Sequence, residues 1–362
     1  MASARERKRE HIEICLHEYV ESLNKNWFSD IHFVHRALPE MDLDDVGISS
    51  PFFGRKLRAP IIIEGMTGGV KEAERINAAL AESAERLEIA MGVGSQRMAV
   101  AERRLASSFR SVREKAPDAF IVANVGFPQI SRGFGAKEVN EIVDMIDADA
   151  IAFHANPLQE VVQPGGETCY RGVAERLADL IPEVRVPTIV KETGSGVSKE
   201  DAELLKKIGI HGIDVAGCGG TSWAAVEYYR AKSRSDEVKR RLGRSFWNWG
   251  IPTTVSIVEV AESFDGTVIA SGGIRSGIDV AKAIALGADC VGMALPLLRC
   301  SVRGTRAVMG FLQSIIEELR TVMFLVGARS IEELKRTPIV ITARTGEWLR
   351  LRGFNPERYV RR

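Results

Sequence analysis

The stretch Val268–Leu298, VIASGGIRSGIDVAKAIALGADCVGMALPLL, decides how the rest of the chain is read. Two β-branched residues, Val268 and Ile269, run into Ser271-Gly272-Gly273. Ser276 is placed to cap a helix whose apolar positions Val280, Ala283, Ile284 and Leu286 recur at helical spacing. Gly287 ends that helix, and a second apolar run, Cys290–Met293, ends in Ala294-Leu295, so two strand ends and one helix start meet at one place. Glycines lacking a Cβ let backbone N–H groups approach a ligand closely, and free N–H groups at a helix start attract an anion. The stretch reads as a phosphate cradle; the plainer alternative is a βαβ unit whose glycines only make turns.

Outward from this stretch the same grammar of apolar run, small polar break and helix recurs toward the N-terminus. Ile61–Ile63 breaks at Glu64-Gly65-Met66-Thr67-Gly68-Gly69 before an amphipathic helix over Glu72–Leu87. Met91–Ser95 is followed by a helix over Glu102–Lys115, and Phe120–Val125 by one over Ala136–Ile146. Ala150–Phe153 runs into His154, Asn156 and Pro157 and a polar loop through Gln159, Glu160, Gln163 and Gly166. Thr188–Val190 ends in Lys191-Glu192-Thr193-Gly194, with Ser198 as the next cap. Ile213–Val215 ends in Gly217-Cys218-Gly219-Gly220-Thr221 before an insertion rich in Arg, Lys and Trp. Alternating strands and helices imply a parallel sheet, and closing it as a (β/α)8 barrel removes the edges that a doubly wound open sheet would leave. The first turn, GMTGG, is not the GxGxxG of the open dinucleotide folds. The expected organisation is an N-terminal extension over 1–58, a barrel over 59–325 and a C-terminal helical extension over 326–362.

In such barrels the active residues come from the C-terminal ends of strands, and paired Gly-rich turns after strands seven and eight hold phosphate. Thr67, Ser95, Asn124, His154, Lys191, Thr221 and Ser271 each take a strand-end position, and all are small or cationic hydrogen-bonding groups. Lys191 beside Glu192 could form a Schiff base, a structural ion pair or a cation held against an electron-rich ring. Gln159 and Glu160 follow His154 closely, and a single carboxylate there suits Mg²⁺ shared with phosphate oxygens and water.

Composition limits the partners. The chain has 362 residues, 27% charged and 45% hydrophobic, with a net charge of +1, so no global field draws it to nucleic acid or membrane. No apolar run approaches a membrane span and no signal core follows the basic start, which predicts a cytoplasmic protein. The arginines at Arg5–Arg9 and Arg344–Arg362 read as solvated tails. Five scattered cysteines without CxxC spacing argue against a disulfide framework and against a zinc site. Cys290, inside an apolar strand, reads as core filler.

Several blocks together resemble type 2 isopentenyl diphosphate isomerase, the FMN-dependent class. They are RKREH at Arg7–His11, GMTGG at Gly65–Gly69, MGVGSQR at Met91–Arg97, ANVG at Ala123–Gly126, HANPLQE at His154–Glu160, VKETG at Val190–Gly194, GCGGTSW at Gly217–Trp223, and the ASGGIRSG and GMALP turns. The resemblance runs from Arg7 to the C-terminus. It implies FMN phosphate on Gly272, Gly273, Arg275, Ala294 and Leu295, with Thr221 nearby, and the flavin ring on Gly65, Met66, Thr67, Gly68, Ser95, Asn124 and Lys191. It implies substrate diphosphate on Arg7, Lys8, Ser95, Gln96 and Arg97, Mg²⁺ on Glu160, and His154 and Gln159 completing the pocket. Lys191, His154 and Gln159 are the implied catalytic residues, reduced FMN the acid–base centre, NADPH the reductant, and a homo-oligomer (tetramer or octamer) the assembly. Arg7 and Lys8, on a mobile N-terminus, would close over the diphosphate. Ala216 stands where relatives often carry serine or glycine. Two rivals remain at this point. One is an FMN barrel doing net redox chemistry, as a hydroxy-acid oxidase or a dehydrogenase using Cys218; the other is a non-catalytic barrel binding nucleic acid or a partner through its arginine-rich ends.

Overall fold

The computed structural model describes residues 4–362; the first three residues of the expected N-terminal extension lie outside the described residues. Eight parallel strands close into a barrel: Ile61–Ile63, Ala90–Gly92, Ile121–Gly126, Ala150–His154, Thr188–Lys191, Gly212–Asp214, Thr267–Ala270 and Cys290–Met293. The eighth pairs with the first at Gly292 and Ile62, so no barrel edge is left open. Ser276 and Ser198 cap their helices, accepting from the Asp279 and Asp201 N–H groups, and Gly287 ends the helix Gly277–Leu286 with φ 122°.

Side chains along the first strand alternate between two cores, because successive residues face opposite sides of a sheet. Ile61 and Ile63 pack outward against the helices, while Ile62 joins Ala90, Val122, Ala152, Ile189 and Ile269 inside the barrel. Burying a residue of that size contributes about 1.5–3 kcal/mol. The bottom of this inner core is closed by an antiparallel hairpin, Ser50–Phe52 with Arg55–Leu57, within a region that reads only as a loop in sequence. Phe52 meets Phe120 edge to face at 5.0 Å between ring centroids, and Phe53 meets Phe52 at 4.8 Å. At the opposite end the interior turns polar, at Glu64, Asn124, Lys191 and Asp214.

The segments outside the barrel differ from the sequence reading in three ways. The polar stretch after His154 is not all loop: Pro157–Val162 forms a short helix with Pro157 in its first turn, where a missing N–H costs nothing. The insertion after Thr221 folds as two helices, Trp223–Ser233 and Glu237–Ser245. The C-terminal extension is not purely helical, since Ile339–Ile341 pairs antiparallel with Ile31–Phe33 and ties the two ends together.

The arginine-rich ends are not solvated tails either. Arg352 is paired with Glu200 and Glu259, Arg358 with Glu262, and Arg362 donates to the Ala285 and Lys335 carbonyls. Their partners lie far away in sequence, so a charge run read alone misplaces them. The N-terminal helix, Ala4–His17, lies across the barrel mouth. It is held by His11 on Glu227 at 2.8 Å and by Glu10 on Arg230 at 2.8 Å and Arg234 at 2.6 Å. No helix among the described residues is long and apolar enough to cross a membrane.

Candidate active site

A cavity of about 230 Å³ opens at the C-terminal ends of the strands, beneath the N-terminal helix. All seven strand-end residues singled out in the sequence, from Thr67 to Ser271, line it. Each strand delivers its last residues to the same mouth, so a polar residue there faces the cavity whatever its distance in sequence.

The phosphate cradle is a lock between two turns. Gly272 and Gly273 adopt φ 108° and 78°, open to glycine and strained for other residues. A Cβ on Gly272 would overlap the Gly217 carbonyl, and one on Gly273 the Gly219 carbonyl. Thr253, fully buried, donates to the Gly272 carbonyl at 2.7 Å and fixes the turn from behind. The segment after the N-terminal helix crosses this cradle: Ser22 N–H donates to Gly220 O at 2.8 Å, and Asn26 Nδ2 to Gly273 O at 2.6 Å. Arg275 points its guanidinium at Glu21, 3.0 Å away. Ala294, Leu295 and Thr221 line the same end. Ala216 lines the cavity with φ 35°, a left-handed conformation unusual for a residue with a Cβ.

Lys191 forms the floor. Its Nζ lies 2.6 Å from Asp214 and 2.9 Å from Glu64. Burial pulls this ammonium down, but Asp214 and Glu64 outweigh it and hold it well above the usual lysine range. A Schiff base needs a neutral amine, so of the three roles open in sequence that one is disfavoured. Next to it, His154 Nδ1 lies 2.7 Å from Asn124 Oδ1. Burial, then Arg97, Lys191 and Lys8, push the imidazole down to about 3, so it is neutral near pH 7.

At the other wall three cations converge. Lys8 Nζ donates to the Gly68 and Ser95 carbonyls at 2.5 and 3.0 Å. Burial and then Arg97 and Arg7 push it down to about 7. Arg7 is also lowered, by burial and then by Arg97. Arg97 has Glu167 only at 3.5 Å. Opposite them, the Glu160 carboxylate accepts from Asn156 Nδ2 at 3.0 Å, Gln163 Nε2 at 2.9 Å and the Glu167 N–H at 2.7 Å. Gln159 Oε1 accepts from the same Asn156 amide.

Two expected contacts are corrected. Gln96 does not face the cavity: it is fully buried, its Oε1 accepting from Asn124 N–H and its Nε2 donating to Ile142 O. Gly68 presents its carbonyl to Lys8, while the place of its missing side chain is filled by Phe109. The remaining expected residues, including Gly65 and Met66, line the cavity. Sequence reasoning passed over His11, Ile12, Cys15 and Trp223, which wall it from the lid side, and Glu64 and Asp214 around Lys191. Glu64 directly follows the first apolar run and Asp214 interrupts the sixth, and those positions were the available signal. Cys218 is buried against Ser22 Oγ at 3.4 Å, and burial raises its thiol, which removes the support for a cysteine-dependent rival.

Three buried polar atoms at this mouth have no partner among the described residues: Thr67 Oγ1, Ser95 Oγ and Glu64 Oε1. Such atoms are rare in folded proteins, and their clustering at one cavity marks a surface built for a polar ligand.

The sequence model of the FMN-dependent dehydrogenase family matches residues 153–341. The chain is 49% identical to the isopentenyl-diphosphate delta-isomerase of Pyrococcus furiosus, covering 96% of this chain and 89% of that one. It is 48% identical to that of Methanothermobacter thermautotrophicus, over 99% of each, and 51% identical to that of Thermococcus kodakarensis, over 96% and 94%. Among solved structures it resembles a flavocytochrome b2 with TM-score 0.65 at 18% identity, covering 86% of this chain and 76% of that one. It also resembles a mandelate oxidase with TM-score 0.61 at 20% identity, over 92% and 95%. At those identities the structural likeness concerns the barrel alone. The chain belongs to the isopentenyl-diphosphate delta-isomerase family, isomerases that carry their chemistry on a barrel of the FMN-dependent dehydrogenase kind.

Proposed function

We propose that this chain interconverts isopentenyl and dimethylallyl diphosphate at the barrel mouth, with reduced FMN and Mg²⁺. The observation that carries the proposal is the convergence of Arg7, Lys8 and Arg97 over a cavity floored by Lys191. Lys8 and Arg7, held down by burial and by Arg97 beside them, are relieved by a multivalent anion, and a diphosphate has the charge to do it. Ser95, whose hydroxyl is unpartnered, stands beside them.

The cradle and the orphaned hydroxyls also fit FMN. Gly272, Gly273, Arg275, Ala294, Leu295 and Thr221 would hold its phosphate, and Gly65, Met66, Thr67, Ser95, Asn124 and Lys191 its ring. When bound and reduced, FMN would supply an acid–base centre at its N5 edge. Lys191 favours the anionic reduced ring by its charge.

Shifting the double bond requires a proton to arrive at one carbon and another to leave two bonds away, with no net electron transfer. Positive charge develops in between, so water must be kept out. The N-terminal helix supplies that cover, with Ile12, Cys15 and Trp223 facing inward. His154, neutral at pH 7, holds a hydrogen bond without adding a cation near the developing charge. The Gln159 amide orients the alkene and does not titrate.

Glu160, pre-oriented by three donors, offers one carboxylate to Mg²⁺. No group of three or more His, Cys, Asp or Glu among the described residues could enclose a metal ion. Mg²⁺ would therefore complete its shell with diphosphate oxygens and water, as it usually does. NADPH as reductant, a homo-oligomer and a cytoplasmic setting belong to the same proposal.

The test is a substrate comparison on the flavin-loaded protein. Isopentenyl diphosphate should be converted with the flavin's redox state unchanged, and 2-hydroxy acids should leave the oxidised flavin unbleached. Bleaching by a hydroxy acid, with no prenyl conversion, would replace the proposal by net redox chemistry.

A further inference from the structure

The floor of the mouth holds two carboxyls and a single ammonium. Lys191 Nζ contacts Asp214 Oδ2 at 2.6 Å and Glu64 Oε2 at 2.9 Å. Asp214 has further donors, the Ser271 hydroxyl at 2.6 Å and the Ala216 N–H at 3.3 Å, both to Oδ1. Glu64 has none among the described residues: its Oε1 is buried without a donor, and the residue is 4% exposed. The two carboxyls sit side by side on the same ammonium. The eighth strand makes room for this arrangement, since a Cβ on Gly292 would overlap the Glu64 carboxyl. Beneath it lies a void of about 20 Å³ lined by Glu64, Asn124, Lys191 and Asp214, enough for one water.

Two adjacent buried carboxylates cannot both stay ionised beside one cation without strong repulsion, and such pairs titrate as a unit. An ionised oxygen with no donor adds a further desolvation cost. We propose that Glu64 and Asp214 share one proton, carried on Glu64 and donated to Asp214, so that Lys191 faces the ligand from a clamp of net charge zero. Glu64 is then a positioning residue, acting through Lys191. Burial, then Asp214, push the Glu64 carboxyl up to about 8 against the pull of Lys191. The other titratable neighbours do not supply a second positive charge: His154 is neutral, and burial keeps the Cys290 thiol protonated.

The consequence for the proposed flavin, on which this part rests, is a specific pattern of non-additivity. In Glu64→Gln the amide keeps every contact, its carbonyl toward Lys191 and its NH₂ toward Asp214. In Asp214→Asn the proton is lost and Glu64 carries the charge instead. Each single variant therefore keeps the clamp neutral, whereas the double variant leaves Lys191 uncompensated.

Two measurements test this. The first is infrared spectroscopy of the flavin-free wild-type protein at neutral pH, where a protonated carboxyl C=O band is expected that shifts in D₂O and is lost in Glu64→Gln, distinct from any band of Glu192, which burial pushes up to about 7. No such band would overturn the proposal, whether or not flavin binds. The second is the ratio of reduced to oxidised FMN affinity. Each single variant should stay within about threefold of wild type, and the double variant should favour reduced FMN by about tenfold more, about 30 mV for a two-electron couple. Single variants that each shift the ratio about half as far as the double, so that the effects add, would show two ionised carboxylates and refute the shared proton. Protein that shows the band but takes up no FMN would retain the proton pair and remove the flavin reading.

Discussion

Replacing Arg230 by Met should release the N-terminal helix without unfolding the barrel. Arg230 is 2% exposed and bridges Glu10 at 2.8 Å to Glu227 at 2.5 Å, and Glu227 is fully buried. Removing one member of this buried ion cluster leaves Glu227 with only its His11 contact, at a cost toward the lower end of about 3–5 kcal/mol. The anchors that remain are His11 on Glu227 and Glu10 on Arg234. Arg5 with Glu102 and Arg9 with Glu72 are surface pairs, each worth about 0–1 kcal/mol. A helix of 14 residues has little stability of its own in water. The docking equilibrium should therefore fall by at least about a hundredfold, at 1.4 kcal/mol per factor of ten. Hydrogen exchange read by mass spectrometry should show protection lost over residues 4–17 while the barrel strands stay protected. Inorganic diphosphate should bind more weakly in proportion to the undocked fraction. Unchanged protection over 4–17 would refute this account of how the mouth is covered.

Four further outcomes are expected. Gly272→Ala forces a side chain into a φ of 108° and against the Gly217 carbonyl, a strain of about 1–3 kcal/mol, so FMN affinity in a fluorescence titration should drop at least about fivefold. Lys8, pushed to about 7 from 10.5, is largely neutral at pH 8 until an anion arrives, so diphosphate binding should take up close to one proton there and almost none near pH 6. Calorimetry in buffers of different ionisation heat reads this directly. By the same linkage the unfolded chain binds the extra proton between about 7 and 10.5, so the burden of Lys8 on stability eases as pH rises through that window. Glu160→Gln should abolish the Mg²⁺ dependence of turnover and leave FMN affinity unchanged; a fully Mg²⁺-responsive variant would remove Glu160 as the ligand.

Much of the mouth was legible in the sequence because the barrel rule turns one-dimensional order into a common location. Thr67, Asn124, His154 and Lys191 could be grouped without any knowledge of their distances. The rule fails where alternation matters: within Ser95-Gln96-Arg97 the outer two face the cavity and the middle amide braces the next strand. It also fails for carboxylates. Glu64 and Asp214 read as the start of a turn and the middle of a short strand, and only three-dimensional closure brings both to Lys191. The hairpin carrying Phe52 and Phe53 was invisible for a different reason. Strands of three residues show no periodicity, and the pair becomes a barrel plug only once there is a barrel to close. The terminal arginines were misread because pairing partners such as Glu200 and Glu259 lie far off in sequence.

The central claim is that this mouth moves a proton within a prenyl diphosphate without consuming electrons. It is tested most directly by incubating the protein with FMN, reduced without oxygen, together with Mg²⁺ and isopentenyl diphosphate in D₂O. The account predicts dimethylallyl diphosphate carrying deuterium from solvent, with the flavin still fully reduced at the end. Recovery of unlabelled starting material, or flavin oxidised in step with substrate loss, would contradict it.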